Sequence, residues 1–371
     1  MLSQERGLHV PVDLIRTVAI IGVILLHAAN DLTSQVQMNT LEVLRWSTVD
    51  IYQSLGRVGV PLFVMLTGAL LLQPSKLNEP IGVFFKKRVA RIALPFVFWA
   101  VVFFAWDFLV EGQAVTSNFI IQGILTGPYY HFWYLYMLVG LYLFTPILRI
   151  IVAHAQRSLL KYFIVLWFLG AAIVPFLGLV SNYTLNVNLL LISGYIGYFL
   201  LGAYLLAVKV RRRTLVALMA LGVTLTAVGT VIVAFNIGGG TSWFFQEYLS
   251  PTMILTSAAA FLLLNTVKMP SSLGTANTVA KDESGATQSE TSHPSIGKRI
   301  LHVISENTLP IFLFHVMILD CLQRGYFGFT LNGDTVNSIV GVPLATVLTF
   351  FISLAIIVPL KWVPGLRKLL G

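Results

Sequence analysis

Long apolar stretches separated by short polar segments make up most of this chain. Ten of them approach or exceed the ~20 residues with which an α-helix crosses about 30 Å of hydrocarbon. Because lipid offers no hydrogen bonds to the backbone, such stretches are expected to be helical. The pattern predicts an all-α, polytopic membrane protein of about ten transmembrane helices, at residues 11–30, 56–73, 92–110, 131–152, 161–180, 187–208, 214–236, 247–267, 300–323 and 338–360.

The connecting segments predict how these helices are oriented. With the N-terminus in the cytoplasm, only Arg45, Arg57 and Arg324 of the 24 lysines and arginines fall on the outer side. Positive residues concentrate in cytoplasmic loops, so both termini are expected in the cytoplasm of a multi-pass cell-membrane protein. Arg16 inside the first apolar run argues against a signal peptide, whose apolar region is uncharged.

Two connecting segments are unusual in length. The first outer loop, about residues 31–55, is interpreted as a solvated loop, with a cover over an acceptor site as the alternative. Residues 268–299 are rich in serine, threonine, glycine and alanine and have too few apolar side chains to build a core. They predict a disordered cytoplasmic loop within a single domain that spans residues 1–371.

Composition and charge narrow the class of protein. Hydrophobic residues make up 57% of the chain, charged residues only 11%, and mean hydropathy is +0.83, which excludes a soluble globular enzyme. The net charge of +9 is interpreted as contact with anionic membrane lipids, with no role for nucleic acid. A single cysteine, and histidines without metal-ligand spacing, predict no metal site and no bound cofactor.

The first predicted helix carries Arg16 and His27, which are costly inside a membrane. Eleven residues turn a helix about 20° past three full turns, so both lie on one face, roughly 16 Å apart along the axis. Asp13 and Asn30 extend this stripe at either end. The stripe indicates a functional line through the bundle. The alternative is that Arg16 reaches the inner interface and His27 bonds to a neighbouring helix.

Further candidates are spread along the chain. Arg57 begins the segment RVGVPLFVMLTG and is either a substrate-binding group or an interfacial anchor. Arg88 and Arg91 share a helix face and could bind phosphates, or could only set the topology. His131 and His315 are possible substrate-binding residues, although a lone histidine on an apolar helix more often packs. Pro310 is expected to kink the ninth span.

The order of these segments resembles the acyltransferase 3 family of integral-membrane acyltransferases. The resemblance rests on Arg16 and His27 in the first helix and on four further segments. These are RVGVPLFVMLTG at 57–68, the Arg-x-x-Arg pair at 88–91, HFWYLYMLVGLYLFTPIL at 131–148 and TLPIFLFH at 308–315. Thr67 replaces a frequent serine, Phe312 a frequent tyrosine, and Lys87 the arginine that often precedes the pair. The chain is similar to the stand-alone subclass that modifies surface glycans.

The resemblance implies an acyltransferase that takes an acyl group from cytosolic acyl-CoA, expected to be acetyl-CoA, as co-substrate. It implies an acceptor hydroxyl on a surface glycan or lipid-linked sugar. His27 and Arg16 would then be catalytic, with His27 as general base or as the nucleophile of an acyl-imidazole. Arg16 would orient the donor or stabilise charge on the thioester oxygen. The alternative is an exporter of glycans or small molecules that uses the same bundle.

Overall fold

A computed structural model describes residues 10–30, 40–114, 116–181, 194–236, 239–267, 295–331 and 336–371. It is 83% helical, and the described residues form no strand, which confirms the all-α prediction. The helices are α1 Val12–Asn30, α2 Thr40–Gly56, α3 Gly59–Leu71, α4 Ile81–Leu109, α5 Ser117–Thr126, α6 Trp133–His154, α7 Arg157–Phe168, α8 Val174–Ser181, α9 Gly194–Leu205, α10 Arg212–Asn236, α11 Pro251–Asn265, α12 Ile296–Glu306, α13 Thr308–Arg324, α14 Ser338–Leu360 and α15 Leu366–Leu370.

The long helices identify a multi-pass membrane protein. Eight helical segments within the described ranges are long and apolar enough to cross a membrane, and nine are if α12 and α13 count as one bent span. The segment predicted at 187–208 contains α9, a shorter apolar helix of 12 residues, and its beginning lies outside the described residues. The membrane fold is therefore confirmed, whereas the number ten and the cytoplasmic termini stay predictions.

The first outer loop differs from its prediction. Residues 40–55, expected to be part of a solvated loop, lie in α2, and α2 continues into α3 as one apolar segment from Leu44 to Leu71. A solvated segment would show little burial, but 72% of that segment's most apolar window is buried. The prediction failed because polar residues such as Asp50 and Gln53 interrupt the apolar pattern, yet these side chains point into the bundle.

Two glycines set how closely this segment approaches α1. A Cβ atom added at Gly56 would lie 2.7 Å from the carbonyl oxygen of Gly22 and from the amide nitrogen of Leu26. A Cβ added at Gly59 would lie 2.5 Å from the carbonyl oxygen of Ala19. The backbones therefore meet directly at Gly56 and Gly59, as small residues allow between membrane helices. This contact places Arg57 beside the C-terminal half of α1.

The ninth predicted span is broken. It was expected to run continuously over residues 300–323 with a kink at Pro310, but α12 and α13 meet at an angle of 72° around Asn307. Pro310 lies in the first turn of α13, where its missing N–H leaves no bond unmade. Helix α12 also begins at Ile296, inside the loop predicted at 268–299, of which residues 268–294 lie outside the described residues.

Helix α1 lies at the centre of the bundle. It packs against α2, α3, α12, α13 and α14, and its buried side chains belong to the main hydrophobic core. The segment of α7 and α8 is peripheral, since only 11% of its most apolar window is buried. Helix α1 therefore lies inside the bundle, whereas helices such as α7 and α4 leave more of their surface exposed.

Candidate active site

A cavity of about 330 Å³ opens between α1, α3, α4, α6 and α13. It brings together three predicted site residues, Arg16, Arg88 and Arg91, which come from helices far apart in the sequence. Cavities of this size are at the small end of ligand sites. The remaining lining is polar at one end and aromatic or aliphatic elsewhere, from Phe63, Thr67, Leu70, Leu71, Gln73, Lys76, Ile92, Tyr134, Leu135, Leu138, Tyr142, Thr308, Leu309 and Phe312.

The broken helix holds Arg16 at the edge of this cavity. A guanidinium nitrogen of Arg16 donates to the hydroxyl of Ser305 at 3.5 Å, at the end of α12. One turn away on α1, Asp13 lies 3.2 Å from the ring of His302. Helix α13 then begins at Thr308 on the cavity wall, and the first turn of a helix attracts anions. The break thus brings a helix N-terminus next to a cation.

The basic run of residues 86–91 lies in the first turns of α4, which begins eleven residues before the predicted span. The guanidinium of Arg88 lies over the rings of Phe84 and Tyr142, 5.4 and 5.6 Å from their centroids. No carboxylate in the described part of the chain lies within ion-pair distance of Arg88 or Arg91. Both arginines therefore keep their charge for another partner.

Neighbouring cations, by contrast, are already paired. Glu79 lies 2.8 Å from the Lys87 ammonium and 3.0 Å from the guanidinium of Arg149. The hydrogen bond from Lys87, together with that from Arg149, lowers the pKa of the Glu79 carboxyl. The basic run is thus divided, with Lys87 bound to a structural carboxylate and Arg88 facing the cavity.

The three predicted histidines lie together, away from the cavity. The ring centroid of His315 is 5.2 Å from that of His27 and 5.7 Å from that of His131. His131 and His315 are buried, and His27 is partly exposed and also packs on Tyr130. Sequence spacing could not predict this histidine cluster, because its members come from α1, the turn before α6, and α13.

Backbone carbonyls orient two of these rings. The Nδ1 atom of His315 lies 2.7 Å from the Phe312 carbonyl, and Nε2 of His131 lies 3.3 Å from the Leu313 carbonyl. A carbonyl only accepts, so each of these nitrogens carries the proton of a neutral ring. The opposite nitrogens, Nε2 of His315 and Nδ1 of His131, are buried without a partner. Each therefore presents a free lone pair.

Phe312 and Tyr134 separate the cavity from the histidine cluster. Both line the cavity, and their ring centroids are 5.0 Å apart. The other side of Phe312 contacts the rings of His131 and His315, at 5.7 and 5.9 Å. Phe312 thus forms a wall shared by the two regions. In the sequence, Phe312 stands out only because it replaces a tyrosine that is frequent at this position.

Arg57 lies on the side of the histidine cluster. Its guanidinium is 5.5 Å from the centroid of Tyr248, and its Nε atom is buried without a hydrogen-bond partner. Lys76 and Thr308, which line the cavity, were missed as site residues because a lysine and a threonine near predicted helix ends carry no distinguishing pattern.

Across the described ranges, no three His, Cys, Asp or Glu side chains are arranged to hold a metal ion.

Comparison with known proteins gives one result. A family model described as "Acyltransferase domain", the acyltransferase 3 model, matches residues 10–358. Comparison with the curated proteins and with the solved structures finds no match. The matched range includes every residue of the cavity and of the histidine cluster.

Proposed function

This chain belongs to the acyltransferase 3 family of membrane acyltransferases, and on that premise we propose that it transfers an acetyl group from cytosolic acetyl-CoA to a sugar hydroxyl. The acceptor is a surface glycan or a lipid-linked sugar at the outer side of the cell membrane. The proposal is supported mainly by one arrangement within the bundle. A cavity lined by three arginines lies on one side of Phe312, and the histidine cluster lies on the other side.

The cavity suits the donor's anionic part. Arg16, Arg88 and Arg91 can form charge-assisted hydrogen bonds to the phosphates of coenzyme A, and guanidinium groups do so in pairs of bonds. The N-terminus of α13 adds its dipole at Thr308. Arg16 and His27 are roughly 16 Å apart along α1, a length comparable to the extended pantetheine arm of coenzyme A. Phosphates held near Arg16 would therefore place the thioester beside His27 once the side chain of Phe312, which separates the two regions, rotates aside.

The histidine cluster suits the chemistry of transfer. In the reaction, the acceptor oxygen attacks the thioester carbonyl, the new C–O bond forms and the C–S bond breaks. His27 takes the proton from the attacking hydroxyl and passes it to the leaving thiolate, which becomes the coenzyme A thiol. The ring of His315 lies 5.2 Å from that of His27, and its unpartnered Nε2 is free to accept a hydrogen bond from a substrate hydroxyl.

The test uses purified protein in nanodiscs, which expose both faces of the membrane. It follows the transfer of a labelled acetyl group from acetyl-CoA. Wild-type protein with acetyl-CoA and membrane glycans should release coenzyme A and form acetylated glycan, detected by mass spectrometry. Arg16→Lys should be severely impaired, because an ammonium lacks the planar fork of donors. Glycan movement across vesicles without any use of acetyl-CoA would contradict the proposal and support an exporter.

A further inference from the structure

Helix α12 has two different faces. Ile296, Ile300 and Val303 share one of them and are exposed by 77%, 54% and 40%. Nine residues turn a helix half a turn past two full turns, so Ser305 lies on the face opposite Ile296. That opposite face is buried against the bundle, since Ser305 is only 2% exposed and accepts a hydrogen bond from Arg16. The apolar face of α12 therefore points away from the bundle.

Contacts with other helices indicate the depth of α12 in the membrane. His302 lies 3.2 Å from Asp13, at the beginning of α1, and the Lys361 ammonium donates to the carbonyl of Glu306 at 3.3 Å. Lys361 directly follows the last residue of α14. Both α1 and α14 are long and apolar enough to cross a membrane. Helix α12 thus lies where α1 begins and α14 ends, which is the boundary between membrane and water.

The composition and direction of α12 suit this boundary. Four of its eleven residues are ionisable, and burying them all in hydrocarbon would be costly: Lys298, Arg299, His302 and Glu306. The axis of α12 departs by 72° from that of α13. Because membrane-crossing helices are tilted by about 20° on average from the membrane normal, a helix bent this far from α13 lies closer to the membrane plane. Arg299 is exposed next to Ile300, where it can contact lipid phosphates.

Water does not suit the apolar face, just as hydrocarbon does not suit the ionisable residues. An amphipathic helix that lies along the membrane plane satisfies both, because its apolar face is buried among the acyl chains just below the head groups. The partner that fits this face of α12 is therefore the lipid surface of the membrane.

We propose that α12 is an interfacial helix, whose apolar face of Ile296, Ile300 and Val303 inserts among the lipids where α1 begins, and that this insertion positions Arg16. With the predicted orientation, these are lipids of the cytoplasmic leaflet. A lipid-anchored α12 keeps Ser305 beside Arg16 and thus holds the guanidinium at the cavity. The link to Arg16 rests on the proposed function, and it adds membrane lipid as a partner that supports binding of the donor.

Spin labels on the full chain measure the placement of α12, in nanodiscs of phosphatidylcholine and phosphatidylglycerol. Cys321→Ser removes the single cysteine, and Ile300→Cys then provides the labelling site. Oxygen concentrates in lipid and a nickel chelate stays in water, so the label at position 300 should collide mainly with oxygen. Val347→Cys, exposed in the middle of α14, is the lipid reference, and Gln113→Cys, between α4 and α5, is the water reference. A label at position 300 that behaves like the water reference would overturn the proposal.

Kinetics measure the link to Arg16. Ile300→Asp places a charge in the inserted face and should raise the KM for acetyl-CoA about fivefold with little change in kcat, because a weakened hydrogen bond at Arg16 impairs donor binding. Val303→Asp, on the same face, should act in the same way, whereas Ile300→Leu should keep the wild-type KM. Leu159→Asp is the matched control, since Leu159 is 56% exposed but lies on α7, which does not line the cavity.

Size-exclusion chromatography in detergent confirms that the aspartate variants fold. An unchanged KM in both Ile300→Asp and Val303→Asp, or an equal rise in Leu159→Asp, would overturn the link between α12 and Arg16. A wild-type protein that never consumes acetyl-CoA would overturn the proposed function and, with it, this link, whereas the spin labels would still decide the placement of α12.

Discussion

The cavity and the histidine cluster lie in the same bundle, but they differ in how their polar groups are paired. Around the cavity, Lys87 and Arg149 are paired through Glu79, whereas Arg88 and Arg91 have no carboxylate within ion-pair distance among the described residues. In the histidine cluster two rings are buried, each with one nitrogen that has no hydrogen-bond partner. On the proposed function, the first region binds the donor and the second carries out the transfer.

The largest expected effect tests the reactive side. His27→Ala should reduce acetyl transfer by roughly 100-fold or more, since that is the usual loss when a general base or nucleophile is removed. The measurement is kcat with saturating acetyl-CoA, and size-exclusion chromatography in detergent confirms folding. His154→Ala, at an exposed histidine that bonds only its own helix, is the control. A His27→Ala protein with near wild-type kcat would move the chemistry to His315.

A smaller effect tests the binding side. Arg88→Ala combined with Arg91→Ala should raise the KM for acetyl-CoA at least tenfold, because hydrogen bonds to charged groups contribute about 1.5–3 kcal/mol each. The value of kcat should change little, since these residues act on binding. Lys86→Ala, at an exposed position of the same run, serves as the control. A fall in kcat without a change in KM would remove the distinction between the two regions.

Gly56 offers a change that affects only the reactive side. The Cβ of Gly56→Ala would collide with backbone atoms of Gly22 and Leu26, which cannot rotate away. Overpacking of this kind costs about 1–3 kcal/mol, so the melting temperature should fall by several degrees. The rate of acetyl transfer should fall because Arg57 moves relative to His27, whereas the KM for acetyl-CoA should not change.

Gly140→Ala is the matched control for this change, because an added Cβ there meets no atom within 4 Å. Its melting temperature should stay the same or rise slightly, since alanine favours helix over glycine. Equal losses of melting temperature and of acetyl transfer in Gly56→Ala and Gly140→Ala would show that the close contact of α1 with α2 has no special role.

The smallest effect concerns the paired charges beside the cavity, and it depends on pH. Because the pKa of Glu79 is lowered in the folded protein, its carboxylate stabilises the fold above the usual glutamate pKa of about 4.3. That contribution is lost as the pH falls through the lowered value. Glu79→Gln should therefore reduce the melting temperature by roughly 2 °C at pH 7.

The difference between wild type and Glu79→Gln should shrink as the pH falls from 7 through the lowered pKa of the wild-type carboxyl, because that carboxyl then becomes protonated too. Thermal unfolding in detergent over a series of falling pH values measures it. Glu247→Gln, at an exposed glutamate, is the control and should show no difference at any pH of the series. A difference that persists at low pH would mean that the glutamine disturbs packing and not charge.

The sequence was sufficient for the helices that face lipid, and it failed where helices are polar or broken. Helix α14 was predicted at 338–360 and is found at Ser338–Leu360, because its composition is apolar throughout. Helix α2 was missed because Asp50, Gln53 and Ser54 look solvated in the sequence, although they face the bundle. The sequence shows how polar a residue is, but it does not show which face of its helix packs against other helices.

The same limit applies to the site. The shared face of Arg16 and His27 follows from helical periodicity, because both residues lie on one helix. The meeting of Arg88 with Arg16, or of His315 with His27, depends on how α4 and α13 pack against α1. These pairs are 72 and 288 positions apart, so no local pattern records their contact.

The contact of Arg16 with Ser305 also has a consequence for synthesis of the chain. The two residues are 289 positions apart, as are Asp13 and its partner His302. At about 5–20 residues per second, a ribosome needs roughly 15–60 s to reach the second partner after making the first. During that time α1 carries an aspartate and an arginine that have no α12 to contact. Helix α1, although it is made before α12, is thus completed only after α12 has been made.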